Sequence, residues 1–267
     1  MAALHDLPAW LTACLTIGAF VGAAVVGLAS SRRWSRERGL HALVDNGVIG
    51  WIFSAILGIY AIAIGLIAVE SWGNSSAASS VASHEASEIA ALHRDISGFP
   101  EPTRSQLDAG LARYTRFVIE GAWPAQRRGE VPHGGTELLN EFQKPLYAFE
   151  PATDGQKAVH AEALRAYNAM IEFRRQRLEA VTFAIPGTLW SVVLVGALLS
   201  IAASFVFNIE SFALHALMTS LLAAMIGLLV FFIVITDLPY RGPGGVGPGA
   251  YELVLHDLLE PTPAAQR

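Results

Sequence analysis

Charged residues are scarce in this 267-residue chain: they make up 15% of it, against 53% hydrophobic, and the mean hydropathy is +0.43. A soluble domain of this length carries more charge than that. The single cysteine, Cys14, excludes an intrachain disulfide and says nothing about compartment. No basic stripe is present and the formal net charge is −5, which argues against nucleic acid as a partner. No Ser-His-Asp, Cys-His or paired-carboxylate spacing stands out, so no enzyme is expected. The glycine-rich stretch Gly242 to Gly249 lacks the Lys-Ser/Thr of a phosphate loop and reads as a connector; no cofactor is implied.

The missing charge is concentrated. Pro8 to Ala29, Gly47 to Val69, Phe183 to Phe207 and Phe212 to Thr236 contain no Asp, Glu, Lys or Arg. Each run is about 22 residues or longer, enough at about 1.5 Å per residue to cross a hydrocarbon core of about 30 Å. Backbone groups in that core must be satisfied within the segment, and runs this long and continuous are helices, not barrel strands. The expected fold is therefore an all-α membrane protein, with four transmembrane helices as two hairpins flanking an extended helical extramembrane domain. The first hairpin occupies residues 1–72 (helices about 8–29 and 47–69) and the helical domain 73–182. The second hairpin occupies 183–240 (helices about 185–207 and 212–236), and 241–267 is a Gly/Pro-rich tail with a short amphipathic helix from about Ala250 to Leu259, expected at the membrane interface.

The chain starts Met1-Ala2-Ala3-Leu4-His5-Asp6 without Lys or Arg, so the first segment is expected to be a retained helix, not a cleaved signal. Four arginines, Arg32, Arg33, Arg36 and Arg38, follow it. Arg174, Arg175, Arg177 and Arg241 lie on the opposite side of the spans, and the near-tie leaves orientation open.

Between residues 73 and 182 spaced apolar residues stand amid 14 acidic and 12 basic ones without blocks, the pattern of a folded, near-neutral domain. No Gly or Pro interrupts from Ser75 until Gly98, so the second membrane helix is expected to continue well out of the bilayer and to couple domain to membrane mechanically. Leu107, Leu111, Tyr114 and Val118 mark an amphipathic helix ending near Trp123-Pro124. Further helices are expected from about Thr136 to Leu146 and from about Asp154 to near Pro186. No strand pattern competes.

An ordered set of short elements resembles the bestrophin-like family of bacterial membrane proteins. The set is Leu57-Gly58-Ile59-Tyr60, Glu70-Ser71-Trp72, His84-Glu85-Ala86, Leu92-His93-Arg94-Asp95, Tyr114, Glu120 with Trp123-Pro124, Arg174 and Arg177-Leu178, Pro186 with Leu189-Trp190, and Asp237-Leu238-Pro239-Tyr240 with Gly242. The resemblance implies a pentamer around a central axis in the bacterial inner membrane, with the second membrane helix lining a pore for anions such as chloride. This chain has no run of adjacent carboxylates like the calcium site of animal bestrophins. At the pore neck, where those channels place aromatic rings, it offers isoleucine.

The second membrane helix itself has two distinguishable faces. Ser54, Gly58, Ala61 and Gly65 form a small-residue stripe suited to close helix packing. Roughly opposite lie Ile52, Ile56, Ile59, Ala63 and, at the exit, Glu70. With the resemblance, this second set is the candidate pore lining, an apolar constriction that gates by dewetting; without it, the isoleucines read equally well as lipid-facing. Glu70 and Asp237 at helix ends either shape ion entry or pair with Arg174, Arg177, Arg241 or water. His215 reads as an interhelical hydrogen-bonding group. His84 and Glu88 have i, i+4 ligand spacing but no third ligand, so a helix face or subunit contact is the preferred reading over a metal site. The competing class is a non-conducting membrane scaffold or sensor whose helical domain binds a partner.

Overall fold

A computed structural model describes residues 7–37, 45–242 and 244–260. The Lys- and Arg-free start at residues 1–6, Arg38, Pro243 and the last seven residues lie outside these. All regular elements among the described residues are helical, and the chain divides into two compact units.

The first unit contains residues up to 74, with 184–237 and 242–244. It holds α1 (Ala9–Glu37), the first half of α2 (Asn46–Ile96), α7 (Gly187–Ser204) and α8 (Phe212–Asp237). All four are long and apolar enough to cross a membrane. α1 packs along α8, and the two come close at Gly227, where an added Cβ would lie 3.1 Å from the Ile17 backbone. The core is small and aliphatic, built from Ala24, Ile64, Val193, Ala223 and Ile233. Large apolar side chains such as Leu66, Leu198 and Met225 point outward, as a lipid solvent permits. Polar pairs join the helices inside: the Tyr60 hydroxyl donates to the Val193 carbonyl at 3.0 Å, and the Ser71 and Thr236 hydroxyls share a hydrogen bond of 2.6 Å. Tyr60 reaches α7 because Gly196 presents no side chain to its ring.

The short α7–α8 connection is held from two sides. Asn46 pairs with the backbone of Asn208 in both directions, donating to its carbonyl and accepting from its N–H at 2.8 Å each. Arg32 donates through Nη2 to the carbonyls of Ile209 and Glu210.

The second unit contains residues 75–183, 238–241 and those from 245 onward. Beyond the outer half of α2 it comprises α3 (Thr103–Phe117), a π-helical turn (Val118–Ala122), α4 (Trp123–Arg127), α5 (Gly135–Ala148), α6 (Asp154–Thr182), α9 (Gly249–Val254) and a second π-helical turn (Leu255–Leu259). The α6 start is a capping box, with Thr153 Oγ1 accepting from Gln156 N at 3.2 Å and Gln156 Oε1 accepting from Thr153 N. The first π turn precedes Pro124. A straight α-helix would drive the proline ring into the carbonyl four residues back, and one wider turn, closed by Trp123 N–H on the Val118 carbonyl, relieves that clash.

The segment from Ala250 to Leu259 is anchored from one side: Tyr251 and Val254 belong to the core of the second unit, while Leu253 and Leu258 are exposed. Tyr251 is fully buried and packs on Trp123, with ring centroids 5.4 Å apart.

Candidate pore face and buried charge network

The membrane half of α2 has three faces, not two. Phe53, Leu57, Tyr60, Ile64, Ala68 and Ser71 turn into the unit's own core or against its edge. The isoleucine set and the small-residue set occupy the rest of the circumference, each about 100° from that packed face at 3.6 residues per turn. Ile52, Ile56 and Ile59 are 57%, 36% and 72% exposed within the single chain, Ala63 is half-buried and Glu70 is exposed. Ser54, Gly58 and Ala61 are likewise exposed and Gly65 half-buried; a Cβ added at Gly58 or Gly65 would meet nothing within 4 Å. One chain thus leaves both candidate faces uncovered.

The charged groups at the helix ends do not pair as anticipated. Asp237 accepts from the Ile185 backbone N–H at 2.7 Å and from Trp190 Nε1 at 3.3 Å, so its carboxylate satisfies donors at the start of α7 instead of meeting an arginine. Arg174 donates to Thr136 Oγ1 at 3.2 Å, and Arg241 donates to the Arg128 carbonyl. Arg177 is not a membrane-end charge: it is 1% exposed in the core of the second unit. Glu70 has no ion-pair partner among the described residues. His215 donates from Nε2 to the Ser204 carbonyl at 2.9 Å, linking α8 to α7 as its composition suggested. His84 stacks on Phe173, with centroids 5.1 Å apart.

The partner of Arg177 is Glu85, and this pair is the main feature that sequence reasoning missed. Arg177 Nε lies 2.7 Å from Glu85 Oε2 and both side chains are fully buried. Tyr114 donates its hydroxyl to Glu85 Oε1 at 2.6 Å. The Arg177 guanidinium stands 5.6 Å from the Trp123 ring and 5.7 Å from the Tyr251 ring, contacts of cation–π type. Tyr240 packs edge-on against Trp123 at 5.6 Å. Burial raises the Tyr114 hydroxyl well above its ordinary pKa, with the Glu85 charge acting in the same direction. For Arg177 burial opposes the charge, but Glu85, Tyr251 and Tyr114 outweigh it and the guanidinium is held more firmly protonated than usual. The network joins α2, α3, α4, α6 and α9, and its Glu85–Arg177 pair alone spans 92 residues of sequence. Its members Glu85, Tyr114, Trp123, Arg177 and Tyr240 are among the residues that carried the resemblance, and in the first unit Tyr60, Ser71, Trp190 and Asp237 are equally engaged.

Four spanning helices and a helical unit with a charged core define a polytopic α-helical membrane protein. The chain belongs to the bestrophin-like family: the family model described as the Bestrophin-like domain matches residues 18–251, from within α1 to Tyr251 in α9. No curated protein and no solved structure matches it significantly.

Proposed function

We propose that this protein is a pentameric channel of the bacterial inner membrane, crossing it four times, in which α2 of each copy lines a pore for anions such as chloride. Ile52, Ile56, Ile59 and Ala63 face the axis and form an apolar neck, and Ser54, Gly58, Ala61 and Gly65 pack against neighbouring helices. The observation that carries the reading is the uncovered isoleucine face of α2, which ends in an unpaired carboxylate. A charge at the end of a membrane helix is costly unless water reaches it, and an aqueous axis supplies that water.

Glu70 also bears on selectivity. It is the one formal charge on this face, and five carboxylates around an axis repel anions. Glu70 therefore acts as a brake on anion entry, and Glu70→Gln raises chloride permeability relative to sodium.

The test is stoichiometry in detergent followed by ion flux in liposomes. Five copies, with a chloride flux that Ile56→Ala increases, support the channel; a monomer is incompatible with an axial pore. The second reading is a non-conducting scaffold or sensor whose helical unit binds a partner. It is favoured by the use of Tyr60 and Ser71 for hydrogen bonds inside their own unit, which leaves the isoleucine face with no polar side chain but Glu70. A pentamer without flux under any ion gradient selects this reading.

A further inference from the structure

We infer that the first unit contains a binding site for an anionic phospholipid, with the acyl chain in a cavity between α2 and α8 and the headgroup at the α7–α8 connection. The cavity has a volume of about 310 Å³ and its wall includes Phe53, Phe207, Ile209, Met218 and Leu222, with His215 at the connection end. Its lining is almost wholly apolar, and it lies among segments that span the bilayer, where acyl chain is the medium at hand.

One orphaned polar group lines that end, and a second is tied to the backbone of its wall. His215 is 2% exposed, and because a carbonyl can only accept, Nε2 must carry the proton in its bond to Ser204. In the neutral ring Nδ1 is then a bare acceptor, and it has no partner. Arg32 is also about nine-tenths buried, and it holds the carbonyl of Ile209, a residue of the cavity wall, through Nη2. Its Nη1 has no hydrogen-bond partner, although the guanidinium stands 5.7 Å from the Phe212 ring.

A buried acceptor without a donor and a buried guanidinium nitrogen without an acceptor each cost free energy. A lipid headgroup with a phosphate for Arg32 and a hydroxyl for His215 satisfies both while its tail fills the cavity. His215 lies in the first turn of α8, and Met218 and Leu222 follow one and two turns deeper, so polarity falls along the site as it does along a lipid. This site is contained in one chain and does not depend on the pore reading.

The test is thermal unfolding of the full-length, delipidated protein in mild detergent, with phosphatidylglycerol, phosphatidylcholine or inorganic phosphate added. Phosphatidylglycerol well above its dissociation constant is expected to raise the midpoint by about 5 °C, and the other two additions to leave it nearly unchanged. Met218→Trp, or Leu222→Phe should the first variant not fold, fills the cavity and abolishes the response, and Arg32→Gln removes the preference for phosphatidylglycerol. An equal response to phosphatidylcholine, a shift reproduced by phosphate alone, or a full shift in the cavity-filled variant would each overturn the proposal.

Discussion

The two units solve the same problem in opposite solvents. The second unit places a full ion pair, Glu85 and Arg177, at the centre of its core and surrounds it with tyrosine and tryptophan, while its other charges pair on the surface. Within its helix contacts the first unit buries uncharged hydroxyl pairs and single hydrogen bonds, Ser71 with Thr236 and His215 with the Ser204 carbonyl, and its large aliphatic side chains are exposed. Its buried arginine, Arg32, sits against the backbone of the α7–α8 connection without a carboxylate partner among the described residues. The hydrophobic effect drives the core of the second unit. The charges buried there are tolerable because Glu85 and Arg177 pair with each other, Tyr114 donates to the carboxylate and aromatic rings flank the guanidinium, although Arg177 Nη1 has no hydrogen-bond partner among the described residues. In the first unit lipid is as apolar as leucine, so close packing and short hydrogen bonds select which helix faces meet.

The comparison breaks most visibly at Glu85. Glu85→Ala leaves Arg177 buried without its carboxylate and is expected to destabilise the second unit by about 3–5 kcal/mol, read as a lowered unfolding midpoint in detergent. A loss below about 1 kcal/mol would mean that the pair is not the keystone.

Alkaline pH acts on the same unit. Burial raises Tyr167 and Tyr240 to about 12, against about 10 in an unfolded chain. Over that interval the unfolded state releases protons that the folded state retains. The stability these phenols lend is therefore complete below about pH 10 and is lost as pH rises toward 12. Tyr240→Phe shrinks that loss in a pH titration of unfolding; an unchanged alkaline limb would contradict the assignment.

The smallest effect belongs to the first unit. Ser71→Ala breaks a single hydroxyl pair and is expected to cost about 0.6–1 kcal/mol. A cost comparable to that of Glu85→Ala would erase the distinction between the units.

The four spans were legible because the absence of charge over some 22 residues has one physical solution. The amphipathic helices outside them were legible from Leu107, Leu111 and Tyr114, whose spacing repeats the helical period. What escaped depended on contacts distant in sequence. Nothing local to Glu85 or Arg177 distinguishes them from a solvated charge, and nothing local to Tyr251 shows that it packs on Trp123. The packed face of α2 was invisible for a related reason: Tyr60 turns inward because Gly196 makes room, 136 residues later. The isoleucine face was found by spacing alone, but period 3.6 cannot distinguish lipid from a neighbouring copy, since both accept isoleucine.

That distinction is the central claim, and cysteine accessibility along α2 tests it directly. In a Cys14→Ser background, single cysteines at positions 52, 56, 59 and 63, and at 54, 58, 61 and 65, are treated with a charged, membrane-impermeant thiol reagent during current recording. The account predicts that modification at 56 and 59 blocks the current while cysteines at 58 and 61 are silent. Block confined to the small-residue positions, or no current in any variant or in the Cys14→Ser parent, would contradict it.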